Sequence, residues 1–270
     1  MATDFDPGYG LEPFATLCRE YPGDSVYPGH DFRTEWGPIF HRGRLDGSAR
    51  MLVIGQDPAQ HEAIARRILI GEAGHRLQGF LFKLGIDRSY VLVNTFLYSL
   101  FGSTGPAHSD DAGIAEYRGR WLKAIFDTAP IEAVVALGTL ADHAWHTWAA
   151  TPDGQAVSPG YVHITHPTQP ESASGGNAAQ HKQLITAMLH NWNQGLDAIA
   201  PHISHPDTAR PLKHYGDAFG PGDKVPIPAA DLPAGLPAWV AVDDGWAKRG
   251  TGATRRATIT VTVPQDSMPS

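Results

Sequence analysis

One pattern recurs four times along the chain. A short apolar run ends in polar residues, and a longer stretch with apolar residues at helical spacing follows it. The runs are MLVIGQ (51–56), YVLVNT (90–95), IEAVVALG (131–138) and the start of YVHITHPT (161–168). Such runs, with little polar alternation, suit strands buried on both faces, as interior parallel strands are. Parallel neighbours need a crossover, which a helix supplies. The helical stretches are legible between the runs. Leu77, Phe80, Leu81 and Leu84 form one stripe that Gly85 stops, and Asp110 and Asp111 open an amphipathic helix through Ile114, Tyr117, Trp121 and Ile125. TLADHAWHTWA follows the third run. Asn177 is placed to cap a last helix whose stripe is Leu184, Ile185, Met188, Leu189 and Trp192. A further apolar-spaced segment runs from Leu11 to Cys18.

The expected fold is therefore α/β: a three-layer α/β/α sandwich around a central four-stranded parallel sheet, formed by residues 1–200. Beyond Pro201 the texture changes to a Pro/Gly-rich C-terminal extension over 201–270, expected to wander over the surface of the main domain rather than form a second core. Within it Trp239, Val240, Val242 and the alternating RATITVTVP predict docking or an added edge strand.

Composition narrows the function classes. No run approaches the roughly 18 apolar residues that span a bilayer, and MATDFDPGYG lacks the basic-then-apolar order of a secretory signal. A cytoplasmic monomer with no membrane partner is the expectation. The net charge of −7 argues against a protein that coats nucleic acid electrostatically, so any phosphate-binding face must be local. The single cysteine, Cys18, excludes an internal disulfide and any four-cysteine metal or iron–sulfur site. No serine-hydrolase elbow, P-loop or dinucleotide fingerprint follows any run.

In such a sheet the carboxyl ends of the strands share one rim. That rim collects Gln56 and Asp57 from the first run, with Pro58 stiffening the turn, Asn94 from the second, Gly138 from the third, and Thr165, His166, Pro167 and Thr168 from the fourth. A carboxamide can match a pyrimidine edge that offers both a carbonyl and an N–H. A histidine can donate to a second carbonyl as negative charge develops there, and a carboxylate can orient water or balance a cationic sugar.

With these residues in place the chain resembles the uracil-DNA glycosylase family. GQDPA (55–59) resembles its first motif, VLVNT its uracil-reading strand, and HPTQP (166–170) its second motif. VVALGTLADHAW is similar to the strand-to-helix turn between them. The likeness runs from about Met51 to His190, in order and with compatible spacing.

The resemblance implies excision of uracil from DNA to leave an abasic site, as in base excision repair, with the target base flipped out and no cofactor or metal. The partner would be DNA containing uracil or abasic sites. Asp57 and His166 would be catalytic, Asp57 acting on water or the cationic sugar and His166 on the departing uracil O2. Asn94, the backbone of Gln56, Leu69 and Ala59 would surround the base. The loop residues Thr168, Gln169, Pro170 and Ser172 would meet DNA, with Pro170 near the position of the minor-groove wedge. Arg67, Lys248 and Arg249 would add phosphate contacts, beside a basic segment that includes Arg255 and Arg256.

The chain also departs from the family. Ala59 stands where the best-known branch has a tyrosine that blocks a 5-methyl group, so exclusion of thymine does not carry over. RRILIGEAGHRLQGFL instead resembles the iron–sulfur branch, with Leu69 in the place of its stacking aromatic; Phe80 and Phe96 are the alternative platforms. That branch ligates its cluster with four cysteines, and this chain cannot. The expectation is that residues 201–270 take over the cluster's structural role. Glu62 is either an orienting group for the Asp57 water or a pocket amide, or a solvent-facing helix residue.

Two other readings stand beside excision. One is a protein of the same fold that binds uracil or abasic DNA tightly with little turnover. The other is a metal-dependent hydrolase using His61, His75 and His166, which lacks the ligand spacing of a zinc helix.

Overall fold

The computed structural model describes residues 6–251 and 258–267. In chain order the elements are α1 (Phe14–Arg19), β1 (His41–Gly43), β2 (Met51–Gly55), α2 (Gln60–Ala65), α3 (Glu72–Lys83), β3 (Tyr90–Asn94), α4 (Ala112–Thr128), β4 (Ala133–Leu137), α5 (Thr139–Ala149), α6 (Pro152–Gln155), β5 (Gly160–Ile164), α7 (Gln169–Ala173), α8 (Ala178–Ile199), α9 (Trp239–Val242), β6 (Ala247–Arg249) and β7 (Ile259–Val261).

The main sheet has the order β1-β3-β2-β4-β5, with β3, β2, β4 and β5 mutually parallel. Side chains alternate across it. Leu52, Ile54, Val91, Val93, Val134 and Ala136 pack with the aromatic stripe of α4 and α5. Met51, Val53, Leu92, Val135, Leu137 and Ile164 pack with Phe80, Leu81, Met188, Leu189 and Trp192 of α3 and α8. The caps are those the sequence predicts. The Asp111 side chain accepts from the Gly113 and Ile114 N–H groups, and the Asn177 side chain from that of Gln180. Gly85, at φ +75°, ends the turn after α3.

The expected four strands are present, but the sheet has a fifth. β1 pairs antiparallel with β3, His41 opposite Val93. Its sequence, HRG, gives no apolar signal, yet all of it is buried. Carboxylates reach both polar side chains: His41 Nε2 lies 3.4 Å from an Asp6 carboxylate oxygen, and the Arg42 charge lies 3.7 Å, through Nη1, from Asp231.

Asp231 belongs to the C-terminal extension, which does more than wander over the surface. Ile227, Leu232, Val240, Ala241, Trp246 and Ala247 form a small apolar cluster with Ala65 and Ile70 of the main body. Asp207 accepts the backbone N–H groups of Asp87, Arg88 and Ser89 at 2.8, 2.7 and 2.9 Å, fastening the turn into β3. The alternating segment near the C-terminus extends no edge of the main sheet. It forms β7, which pairs with β6 as a separate two-stranded hairpin. Arg255 and Arg256 lie outside the described residues.

Fully buried Asp231 also accepts from Arg44 and the Tyr90 hydroxyl. Asp231→Ala leaves the buried Arg42 guanidinium without its counter-charge, so urea denaturation should register a loss of about 3–5 kcal/mol. A variant as stable as the parent would mean that this latch contributes nothing.

Candidate active site

The end of β2 and the turn after it set the floor of the site. Asp57 follows the strand by two residues; its Oδ2 accepts the Leu100 N–H at 3.0 Å and its Oδ1 the Gln56 side-chain amide at 3.1 Å. Leu100 is held by a bridge to Phe32. Burial pushes the Asp57 carboxyl above the usual carboxylate range, opposed by the Leu100 N–H, the charge of Arg249, the Gln56 amide and the charge of Arg33. Part of the residue remains accessible.

Asn94 ends β3 in register with Gly55. By alternation its side chain lies on the α3/α8 face, with Leu92 and Val53. A side-chain carbon on Gly55 would fall 2.3 Å from Asn94 Oδ1 and 3.4 Å from Leu69 Cδ1, so the absence of a side chain there lets Asn94 and Leu69 meet over the strand end. Asn94 is buried, and its Oδ1 has no hydrogen-bond partner within the protein. An orphaned buried acceptor costs about 1–3 kcal/mol, which a donor on a ligand would recover.

Leu69 adopts φ +52°, a left-handed backbone that non-glycine residues rarely take. The next residue anchors it, since the Ile70 N–H donates to Glu62 Oε1 at 3.2 Å. Gly74 packs directly on the Leu69 carbonyl, where any side-chain carbon would sit at 1.7 Å. Glu62 is thus buried rather than solvent-facing. Its second oxygen accepts the Ala59 N–H at 3.0 Å, so it ties the start of α2 to the loop that presents Leu69.

His166 lies beyond β5, its Cβ packed close to Gly138. The Thr168 N–H donates to its Nδ1 at 3.3 Å. An accepting Nδ1 carries no proton, so the neutral ring holds its proton on Nε2. Burial lowers the imidazole from 6.5 to about 4, opposed by Glu171 and reinforced by Arg76. Near neutral pH His166 is therefore an uncharged Nε2–H donor.

Arg76, on α3, carries no family motif, and the sequence reading missed it. Its guanidinium donates to the Pro167 carbonyl and pairs with Glu72 and with Glu171 of α7, the latter at 2.7 Å. One side chain thus joins the helix that supports Leu69 to the loop that carries His166. The available signal was a Glu-to-Arg pair four residues apart at the head of an apolar stripe. Arg76→Leu leaves the Pro167 carbonyl without this donor, and leaves Glu72 with Lys224 and Glu171 with His181 as their remaining partners. The expected loss is about 2 kcal/mol in chemical denaturation, and unchanged stability would remove Arg76 as the loop's anchor.

The other expected contacts fall in different places. Gln56 turns its side chain to Asp57, while its carbonyl accepts the Phe96 N–H at 2.9 Å. Ala59 stands half-exposed before α2, and Thr168 is engaged with His166. Gln169 begins α7, and Ser172 is exposed on it. Pro170 is buried in the first turn of α7, so it presents no wedge. Arg67 is buried against Asp6, Nε to Oδ2 2.6 Å, and turns no free guanidinium to solvent; an N-terminal partner invisible to local pattern claims it. Lys248 and Arg249 are exposed on β6. The two alternative platforms are engaged elsewhere. Phe80 meets Trp192 edge-on inside the α3/α8 layer, and Phe96 packs against Phe32 on the opposite face. Leu69 alone of these stands beside Asn94. The His61 Nε2 accepts the Ala247 N–H and the His75 backbone carbonyl accepts that of Val225 at 3.0 Å, both from the C-terminal segment, and among the described residues no group of three His, Cys, Asp or Glu side chains could hold a metal ion.

The rim thus presents a carboxylate, a buried amide oxygen without a partner and an uncharged imidazole donor at the ends of β2, β3 and β5. The family model described as the uracil DNA glycosylase superfamily matches residues 42–193, more than half of the chain, and the chain belongs to that superfamily. Its members are DNA glycosylases, enzymes that act on DNA. No curated protein matches the sequence. Among the described residues no helix is long and apolar enough to cross a membrane.

Proposed function

We propose that the protein is a uracil-DNA glycosylase that hydrolyses the N-glycosidic bond of deoxyuridine in DNA, releasing uracil and leaving an abasic site for base excision repair, as a monomer in the cytoplasm. The observation that carries this reading is the buried, unpartnered Asn94 Oδ1 on the same sheet face as Leu69. An imide N–H of a flipped pyrimidine is the donor it lacks, and the Asn94 amide N–H groups can meet the adjacent carbonyl. Cytosine has no N–H at that ring position, so the pairing favours uracil.

The chemistry follows from the flanking groups. As the bond from the sugar C1′ to uracil N1 breaks, its electron pair moves onto the base, and the His166 Nε2–H donates to the O2 where that charge gathers. The sugar becomes cationic, and the Asp57 carboxylate balances it and orients the water that adds at C1′. The water's proton passes to the carboxylate and then to solvent or the released base. The half-exposed Ala59 leaves space beside the base, so a 5-methyl group meets less obstruction than beside an aromatic side chain.

Single- and double-stranded oligonucleotides bearing one uracil, incubated with and without chelator and then treated with alkali, test this. Strand cleavage that survives the chelator is expected. Uracil DNA retained tightly but intact would replace the enzyme with a binding protein, and activity abolished by chelator would replace it with a metal-dependent hydrolase.

A further inference from the structure

We propose that the C-terminal hairpin is part of the active site and delivers Arg249 as the counter-charge of Asp57. This rests on the glycosylase reading only for the role it gives the carboxylate; the placement of Arg249 stands without it.

The hairpin docks on the helix that follows the catalytic turn. Ala247 of β6 donates its N–H to His61 Nε2 at 3.2 Å, and its carbonyl accepts from Gln60 Nε2, also at 3.2 Å. Gln60 and His61 lie three and four positions after Asp57, at the start of α2. Trp246, almost fully buried, packs edge-on against His61 with ring centroids 4.9 Å apart. An accepting Nε2 requires His61 to be neutral, and burial lowers that imidazole from its ordinary value.

Strand periodicity then fixes the direction of the next side chains. Ala247 faces α2, so Arg249, two residues on, returns to the same face, and Lys248 between them points away. β7 holds this register, with Arg249 opposite Ile259 and Ala247 opposite Val261. The Thr262 N–H adds a bond of 2.8 Å to the Trp246 carbonyl.

The groups facing Asp57 come from five segments. The Gln56 amide precedes it, the Leu100 N–H reaches it from the stretch after β3, Glu62 adds a like charge from α2, and Arg33 and Arg249 supply positive charge. The two arginines differ in exposure. Arg33 is fully buried, its guanidinium 4.8 Å from the Trp36 ring and 3.9 Å from that of Phe101. Arg249 is exposed, so it can oppose the burial of Asp57 and still meet a phosphate at the rim. Its effect is open to screening by salt, whereas that of Arg33 is shielded. Arg249 is a positioning residue acting through the carboxylate.

The test is the carboxyl titration of Asp57 in the full-length, DNA-free protein, read by carbon-13 NMR with aspartate-labelled chain and assigned by its loss in Asp57→Asn. In Arg249→Gln the midpoint should move upward, because an opposite charge that favoured the carboxylate has gone. Arg249→Lys should fall between the two, Lys248→Gln should match the parent, and high salt should move the parent toward Arg249→Gln. Amide spectra establish that each variant is folded; should Arg249→Gln fail, Arg249→Lys carries the comparison. A midpoint unmoved by loss of the arginine, or moved equally by Lys248→Gln, overturns the proposal. The titration needs no turnover. Inactivity toward uracil DNA with the midpoint shifted would therefore sink the glycosylase reading alone, and activity with an unmoved midpoint would sink this inference alone.

Discussion

Asp57→Asn is expected to slow single-turnover uracil release by about 10²–10⁴-fold while leaving affinity for uracil DNA close to that of the parent. The substitution keeps the shape. The asparagine oxygen can still accept the Leu100 N–H, and the Gln56 amide can rotate to present its oxygen to the new NH₂ group. What is lost is the negative charge beside a sugar that becomes cationic, together with the acceptor for the water's proton. Folding should respond in the opposite sense. The carboxyl is raised by burial above 3.8, so at neutral pH its ionised form is disfavoured in the folded protein relative to the unfolded chain. That cost is present above the folded value and fades as pH falls toward 3.8, because both states then bind the proton. An amide at this position avoids it, so the melting temperature should equal or exceed that of the parent. Stability traded for reactivity is characteristic of a functional group held in an unfavourable site. If rate and stability fell together, Asp57 would be a structural member of the turn and the excision chemistry would lose its carboxylate.

The pieces visible in the sequence share one physical property: each is set by neighbours within a few residues. The four parallel strands follow from runs long enough to be buried on both faces, and the caps at Asp111 and Asn177 from one side chain and the N–H groups just after it. The places of Asp57, Asn94 and His166 at the ends of β2, β3 and β5 were legible because each follows its own apolar run. The misreadings all involve long-range partners. β1 is a strand whose buried His41 and Arg42 make sense only once Asp6 and Asp231 arrive from near the two ends of the chain. Arg67 looked like a surface cation for want of Asp6. Pro170, read as near the position of the wedge, is buried in the first turn of α7, and Arg76 was passed over because its carbonyl partner lies 91 residues away. The extension beyond Pro201, expected to pack on the main domain, also depends on distant partners. Rich in Pro and Gly, it reads as surface chain, but a few well-placed side chains (Asp207, Ile227, Asp231 and Trp246) fasten it to the turn into β3, the strand β3 itself and α2.

His166→Ala should lower the rate of uracil release by about 10²-fold or more with little change in substrate affinity, the usual effect of removing one donor to a developing oxyanion. The size of the effect depends on the imidazole being neutral before the reaction starts. With its pKa lowered to about 4, the ring is uncharged throughout the physiological range, and the Thr168 N–H fixes the proton on Nε2. The sign for stability follows: between 6.5 and about 4 the unfolded chain gains a proton that folded His166 refuses, so this residue's contribution is complete above 6.5 and is lost as pH falls through that interval. Nitrogen-15 spectra of the folded protein should accordingly show a single neutral Nε2–H tautomer from about pH 8 to about pH 5.5, with no inflection at the ordinary histidine value. Thr168→Val removes the hydroxyl but keeps the backbone donor, so the tautomer should survive it. A uracil anion is stabilised best by a donor that stays put as charge develops, and a ring held by a backbone N–H, on a residue whose Cβ packs close to Gly138, meets that need. Titration near 6.5, or a proton on Nδ1, would leave Nε2 without the hydrogen this step requires and would move the leaving-group role to another residue.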